Sequence, residues 1–258
     1  MDTVLAIDGN NIAHRSFHAS GGKADSVLVG CISAVIKSIK QAAEYNIVPS
    51  HIVVAFDSDV NKRKEVYEGY KAQRSETDAS LKEQIAAAPA QLRKLGIPAG
   101  TKEGFEADDV IASAVAAADS AIVVSSDRDL LQLISDNVRV FAPVNGGRLE
   151  NRDDEYMEAK YGIDSGDYLS FAAMRGDKSD NLPGVTGIGE VKAAALVNAF
   201  GNLQYIMEAV KYEPAMVDKV AGKNAAQKLT DSLENLRRNW QLMTLVSSIP
   251  LKTEGNFN

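Results

Sequence analysis

Short apolar runs alternate along this chain with longer stretches in which apolar positions recur every three or four residues, the pattern of strands alternating with helices. Thr3-Val4-Leu5-Ala6-Ile7 reads as a buried strand. Val27, Leu28, Ile32, Val35, Ile36 and Ile39 then fall at helical spacing and predict a core helix from Ser26 to Tyr45. His51 to Phe56 is a second strand, Ser120 to Ser126 a third and Val138 to Phe141 a fourth. Helices are predicted over Leu81 to Leu95, closed by Gly96-Ile97-Pro98, after Asp109, over Leu130 to Ile134 and over Asp153 to Tyr161, with a turn at Gly146-Gly147. From about Ser165 the pattern is almost wholly helical, including Glu190 to Phe200, and the tail after Leu251 is expected to fray. This order predicts an α/β fold whose mostly parallel, twisted sheet is flanked by helices and fills residues 1–165. An all-helical module over 166–258 follows. The first strand, helix and second strand form a right-handed βαβ unit.

Composition sharpens the picture. The 258 residues are 45% hydrophobic, ample for a buried core. The single cysteine, Cys31, permits no internal disulfide and fits a reducing cytoplasm. No basic leader opens the chain, and no apolar run is expected to approach the roughly 18 residues of a membrane span. A cytoplasmic protein without a membrane segment is therefore expected. The formal net charge of −7 speaks mildly against a protein that simply coats nucleic acid. That objection weakens if the acids are gathered around bound cations. Three histidines without cysteine partners speak against a zinc site.

The acids are placed suggestively. Asp8-Gly9-Asn10-Asn11 ends the first strand and Asp57 the second. Asp-Gly after a strand is also an ordinary turn, but an open α/β sheet binds its ligands at these strand ends. Glu106-Ala107-Asp108-Asp109 opens an apolar helix, where acids also suit the helix dipole. Asp127 and Asp129 follow the third strand, and a helix cap explains one of them but not both. In the helical part, Asp177 and Asp180 precede a Gly/Pro-rich turn at 183–192. Its Gly187 and Gly189 bring backbone N–H groups to a helix N-terminus, a phosphate-binding arrangement or simply a tight turn between helices. Between residues 60 and 74 five basic residues (Lys62, Arg63, Lys64, Lys71, Arg74) stand against two acids, with Tyr67 and Tyr70 interleaved. That is a solvated face or a segment that grips a phosphate backbone. Two carboxylates about 4 Å apart repel by roughly 4 kcal/mol at an effective dielectric near 20. Nine acids sharing a cleft would have to protonate or bind cations, and oxygen-only ligands suit Mg²⁺ or Mn²⁺. Two such ions can stabilise both the attacking and leaving oxygens of a phosphodiester displacement.

The motifs Asp-Gly-Asn-Asn, Ala-Phe-Asp, Tyr-Lys-Ala-Gln-Arg, Glu-Ala-Asp-Asp, Ser-Ser-Asp-Arg-Asp and Arg-Gly-Asp-Lys-Ser-Asp-Asn-Leu-Pro-Gly-Val-Thr-Gly-Ile-Gly occur in this order between residues 3 and about 205. In this the chain resembles the 5′-nucleases: flap endonucleases, phage 5′→3′ exonucleases and the 5′-nuclease domain of bacterial DNA polymerase I. The resemblance implies a PIN-like sheet domain with a helical arch at about 60–90 and a helix-hairpin (helix–three-turn–helix) module. It implies a structure-specific nuclease that cuts DNA by a two-metal-ion mechanism in replication or repair. Asp8, Asp57, Glu106, Asp108 and Asp109 would surround a first Mg²⁺, and Asp127, Asp129, Asp177 and Asp180 a second, with Mn²⁺ able to substitute. Lys71 and Arg74 match the basic pair expected to act on the scissile phosphate. Tyr70 matches a base-stacking ring and Arg15 a phosphate contact. The Gly187–Gly189 turn would bind the duplex backbone, with a K⁺ ion on its carbonyls. The family commonly has a lysine at the position of Val191, and Lys192 is the neighbouring candidate here. The substrates implied are DNA with a free 5′ end, flap, nick or gap, and an RNA primer in an RNA–DNA hybrid. At 258 residues, with no room for a polymerase domain, a free-standing monomer is expected.

Two other readings compete. Phe56-Asp57-Ser58-Asp59-Val60 has the Asp-x-Asp form of haloacid-dehalogenase-like phosphatases, which leaves Asp8, Glu106, Asp108, Asp127 and Asp129 unexplained. A non-catalytic junction-binding protein would have no need of the full acid set.

Overall fold

The structure, a computed structural model, describes residues 2–251. The tail expected to fray lies outside the described residues. Contacts divide the chain into two units: residues 1–62, 76–153 and 245–258 form the first, and 63–75 with 154–244 the second.

The first unit is built on β1 (Thr3–Asp8), all six residues of which are buried. It is followed by α1 (Gly9–Ser20), α2 (Ser26–Glu44) and β2 (His51–Phe56), and β2 lies parallel beside β1 with Asp8 opposite Ala55. After α4 (Ala79–Lys94; the one-turn α3, Arg63–Val66, belongs to the second unit) come β3 (Ala99–Thr101), α5 (Ala107–Ala116), β4 (Ser120–Val124), β5 (Val138–Pro143) and β6 (Leu149–Arg152). The sheet order is β3-β2-β1-β4-β5-β6, parallel except for β6 at the edge. The chain thus winds outward from β1 to one side, then restarts at β4 on the other. The strand ends of β1 and β4 flank the crevice that this reversal opens, the usual ligand site of such a sheet.

Alternation sorts the strand residues. Leu5, Ile7, Val54, Phe56, Ile122 and Val124 share one core with α1, α2 and α4. The alternate set, Val4, Ala6, Val53, Ala55, Ala121 and Val123, is also buried, and that opposite face is left to α5. Gly9 is demanded by close approach: a Cβ there would stand 2.6 Å from the Phe56 ring and 2.7 Å from the Ala55 carbonyl oxygen.

Some expectations need correcting. The 19 residues of α2 are long and apolar enough to cross a membrane by length and composition. Val27, Cys31, Ala34, Val35 and Ala42 are instead spent on the core. The third strand stops at Val124, and Ser125 just beyond it turns its hydroxyl toward Asp8. The short helix expected over Leu130 to Ile134 is a 3-10 turn, Asp129–Leu133, since Ser135 at once pairs with Val138 and leaves no room for a second turn. Strands β3 and β6 were not anticipated.

The second unit contains α3, α6 (Asp154–Tyr161), α7 (Tyr168–Arg175), the two-residue strands β7 (Gly176–Asp177) and β8 (Leu182–Pro183), α8 (Glu190–Phe200), α9 (Leu203–Tyr212), α10 (Pro214–Ala221), α11 (Ala225–Asp231) and α12 (Leu233–Met243). Tyr168, Phe171, Met174, Leu196, Val197, Ile206 and Leu236 form its buried interior. Asn239, wholly buried on α12, donates its side-chain amide to the carbonyls of Ala173 and Pro183. It thereby fastens the end of α7 to β8, and with it the loop that carries Asp177 and Asp180. The stretch 60–90 is not one element: 63–75 packs with these helices, and α4 packs with the sheet.

Candidate functional site

In the sheet unit, Asp8 ends β1 and caps α1, its Oδ1 accepting from the Asn11 amide at 2.9 Å. Its Oδ2 accepts from the Ser125 hydroxyl at 2.6 Å. Burial pushes its carboxyl up to about 7; the Ser125 and Asn11 hydrogen bonds oppose the rise, and the charges of Asp127 and Asp57 add to it. Asp57 accepts from Asn10 Nδ2 and from the Ala107 amide, both at 2.8 Å, and so joins the end of β2 to the starts of α1 and α5. Glu106 caps α5 and accepts from Asn61 Nδ2 at 2.8 Å. Asp127 receives the Asp129 amide at 2.9 Å, while its own amide donates to Ser125 Oγ at 3.0 Å. One buried hydroxyl therefore donates to the carboxylate of Asp8 and accepts the backbone amide of Asp127. Asp108, in the first turn of α5, is half-buried.

Asp109 differs from the rest. It is fully buried, and its two oxygens accept backbone N–H groups, Val246 at 2.9 Å and Glu106 at 3.2 Å. It holds the chain's return segment against α5, where Ser113 adds bonds to Val246 and Ile249. Among the described residues, no three His, Cys, Asp or Glu side chains stand together closely enough to hold a metal ion. The charges of Asp127 and Asp57 still reach Asp8.

In the helical unit, Asp177 accepts from the amide and hydroxyl of Ser179 at 2.7 and 2.6 Å. Asp180 is buried and accepts from Arg74 Nη2 at 2.6 Å, while its carbonyl receives the Lys71 amide at 3.1 Å. Gln73 donates to Asn181 Oδ1 at 2.6 Å, and Asn181 returns a bond to the Gly69 carbonyl at 2.8 Å. The basic segment is thus docked on the loop of the two acids. Lys71 adopts a left-handed backbone, φ 57°, and its ammonium lies 4.9 Å from the centre of the Tyr70 ring. Tyr70 itself is only 3% exposed, so its ring packs inward rather than facing solvent.

At the turn, Gly187 takes φ 78° and the Lys228 ammonium lies 3.0 Å from where its Cβ would be. Gly189 caps α8 in open space, Val191 is 85% exposed, and Lys192 reaches toward Gly222. Arg15 is half-buried on α1 in the sheet unit. Sequence reasoning missed Asn10, Asn11, Asn61, Ser125 and Lys228. Asn10 and Asn11 stood in the Asp-Gly-Asn-Asn motif and Ser125 in Ser-Ser-Asp-Arg-Asp; Lys228 carried no signal at all.

Oxygen donors of this kind at the strand ends suit hard divalent cations and the handling of phosphate esters. The comparisons with known proteins agree with that chemistry. DNA polymerase I of Mycobacterium leprae is 36% identical over 262 residues, which is 96% of this chain but 27% of the polymerase. The chain thus spans less than a third of that curated relative. A bacteriophage T5 protein co-crystallised with metal ions is 25% identical with a TM-score of 0.76, covering 95% of this chain and 90% of its own. The T5 flap endonuclease in a pseudo-enzyme-product complex with DNA and metal ions is 27% identical with a TM-score of 0.71, at the same coverage. The family model described as "5′-3′ exonuclease, N-terminal resolvase-like domain" matches residues 3–162, and that described as "5′-3′ exonuclease, C-terminal SAM fold" matches 163–256. By these matches, which together run over nearly its whole length, the chain belongs to the 5′-3′ exonuclease family.

Proposed function

We propose that this chain is a divalent-metal-dependent 5′-nuclease that hydrolyses DNA phosphodiesters near a free 5′ end, at flaps, nicks or gaps, in replication or repair. The observation that carries the reading is Asp8: a buried acid at the end of the central strand whose carboxyl is pushed up to about 7 by burial and, in part, by neighbouring acids. Such a group is poised to exchange its proton for a cation. The donor set fits Mg²⁺, with Mn²⁺ able to replace it. Asp8, Asp57, Glu106, Asp108, Asp127 and Asp129 would supply ligands from the sheet, and Asp177 and Asp180 from the helical unit. Asp109, with both oxygens bonded to backbone amides, supports the set from behind. Two bound ions would supply charge stabilisation for the attacking and leaving oxygens.

The chain's own groups do the rest. Ser125, Asn10 and Asn61 aim the carboxylates. Lys71 and Arg74 neutralise charge developing on the scissile phosphate, for which Arg74 must exchange its Asp180 partner. Tyr70 would stack the terminal base once the segment carrying it opens. Arg15 contacts a phosphate. The Gly187–Gly189 turn, with Lys192 and Lys228, binds the duplex backbone, and its carbonyls suit a K⁺ ion. The enzyme acts in the cytoplasm as a monomer, and RNA primers in RNA–DNA hybrids are further substrates. Family membership sets aside the phosphatase reading.

The test is cleavage of a 5′-flap duplex labelled on the flap strand, in Mg²⁺ and in chelator, beside an Asp177→Asn variant. Metal-dependent cutting at the flap base, lost in the variant, is expected. Binding without cutting of flap, nick or blunt end would leave a junction-binding protein instead.

A further inference from the structure

We infer that the cleft between α1, α2 and the loop Val144–Arg148 is a second phosphate-binding site, distinct from the acidic set and from the Gly187 turn. The cleft has a volume of about 320 Å³ and is lined by Arg15, Lys37 and Arg148 with Ser16, Ser33 and Asn145. None of its lining side chains is acidic, in a chain whose net charge is −7. The cavity beside Asp57, by contrast, sets Asp57, Asp59 and Glu103 among its lining alongside Lys82 and Arg93.

The cations are available. Neither Arg15 nor Arg148 makes a side-chain hydrogen bond or ion pair among the described residues. The Lys37 ammonium donates only to the Gly147 carbonyl, at 2.9 Å, which leaves two of its three donors open. That bond also ties the loop to α2 and sets Arg148 at the rim. The loop turns back through Gly146 and Gly147, with φ of 80° and 72°, values at which side-chain-bearing residues are strained. On the other wall, Gly30 permits the close packing of α1 on α2, because a Cβ there would run into Ser16. Three unneutralised cations with hydroxyl and amide donors around one cleft call for an anion, and two guanidiniums favour a phosphate oxygen pair.

The inference rests on the DNA-nuclease reading and names a phosphate of the bound nucleic acid as ligand: an internal phosphodiester or the 5′-terminal phosphate. The test uses the full chain and two flap duplexes, one with a 5′-phosphate and one with a 5′-hydroxyl. Lys37→Gln with Arg148→Gln is compared with Lys160→Gln with Lys219→Gln, which changes net charge equally elsewhere. The first pair is expected to raise KM about tenfold near 0.1 M salt, keep turnover at saturation, and flatten the slope of log KM on log salt by about two. The control pair should shift KM less than twofold. A rise on both substrates identifies an internal phosphodiester, and a rise on the phosphorylated one alone identifies the terminus. Unchanged KM and slope in a variant that melts like the wild type would overturn the site. A wild-type chain that binds and cuts neither duplex would instead overturn the nuclease reading.

Discussion

Asp8 ends a strand, caps a helix and receives a buried hydroxyl, and each of those duties has a measurable cost. Its folded-state pKa of about 7 lies above the ordinary 3.8, so the folded chain keeps a proton that the unfolded chain releases. The stability from this group is fully present below about pH 4 and is lost as pH rises toward 7. In chelator, the denaturant midpoint of the wild type is expected to fall over that window, and Asp8→Asn should flatten the fall. A wild-type midpoint that rises instead would contradict the assignment. Gly9 offers a second test. Gly9→Ala sets a methyl against the Phe56 ring and the Ala55 carbonyl, and should cost about 1–3 kcal/mol in thermal or denaturant melts. The acids were legible in the sequence because their residue type and strand-end positions announce the chemistry. Ser125 and Asn61 were not. Their partners stand 117 and 45 residues away, and nothing local in a serine or an asparagine records which distant carboxylate it serves.

Elements with a clear local signal were legible as well: α2 by its helical spacing, β1 and β2 by their apolar runs, and α8 by the Gly/Pro-rich turn before it. Strand β3 escaped because Ala-Gly-Thr is too short to alternate. Strand β6, Leu-Glu-Asn-Arg, pairs at the edge and is polar enough to read as loop. Two element-scale predictions concern attachments rather than patterns. Asp109→Ala removes the acceptor for the Val246 amide at the base of α5. It should cost about 1–3 kcal/mol for the part-buried donor left without it and speed hydrogen exchange at Val246 and Ile249, with protection of β1 reduced only as far as global stability falls. Arg74→Ala removes the ion pair to Asp180, whose partner side chain is half exposed. It should loosen the 69–74 segment by about 1 kcal/mol or less, read as faster exchange at the Lys71 amide. Unchanged exchange there would mean that Gln73 and Asn181 alone hold the segment.

For the whole molecule, the two units are legible only in part, because a linear reading divides a chain once and this chain passes between its units four times. The basic segment 63–75 is the piece that a change of composition could not assign. Its flanking sequence is sheet-unit sequence, yet its partners are Asp180 and Asn181. A fragment of residues 154–244 should therefore gain thermal stability when a peptide of residues 63–75 is added in trans, and a peptide with Arg74 and Gln73 replaced by Ala should add less. The same arrangement bears on how the chain is made. Arg74 leaves the ribosome 106 residues before Asp180, a wait of about 5–20 s at the usual pace of synthesis. During that interval Arg74 lacks its Asp180 carboxylate and the Lys71 amide its Asp180 carbonyl. The newborn chain is then most open to premature capture by cellular polyanions such as RNA, and a ribosome pausing before codon 180 would lengthen that exposure.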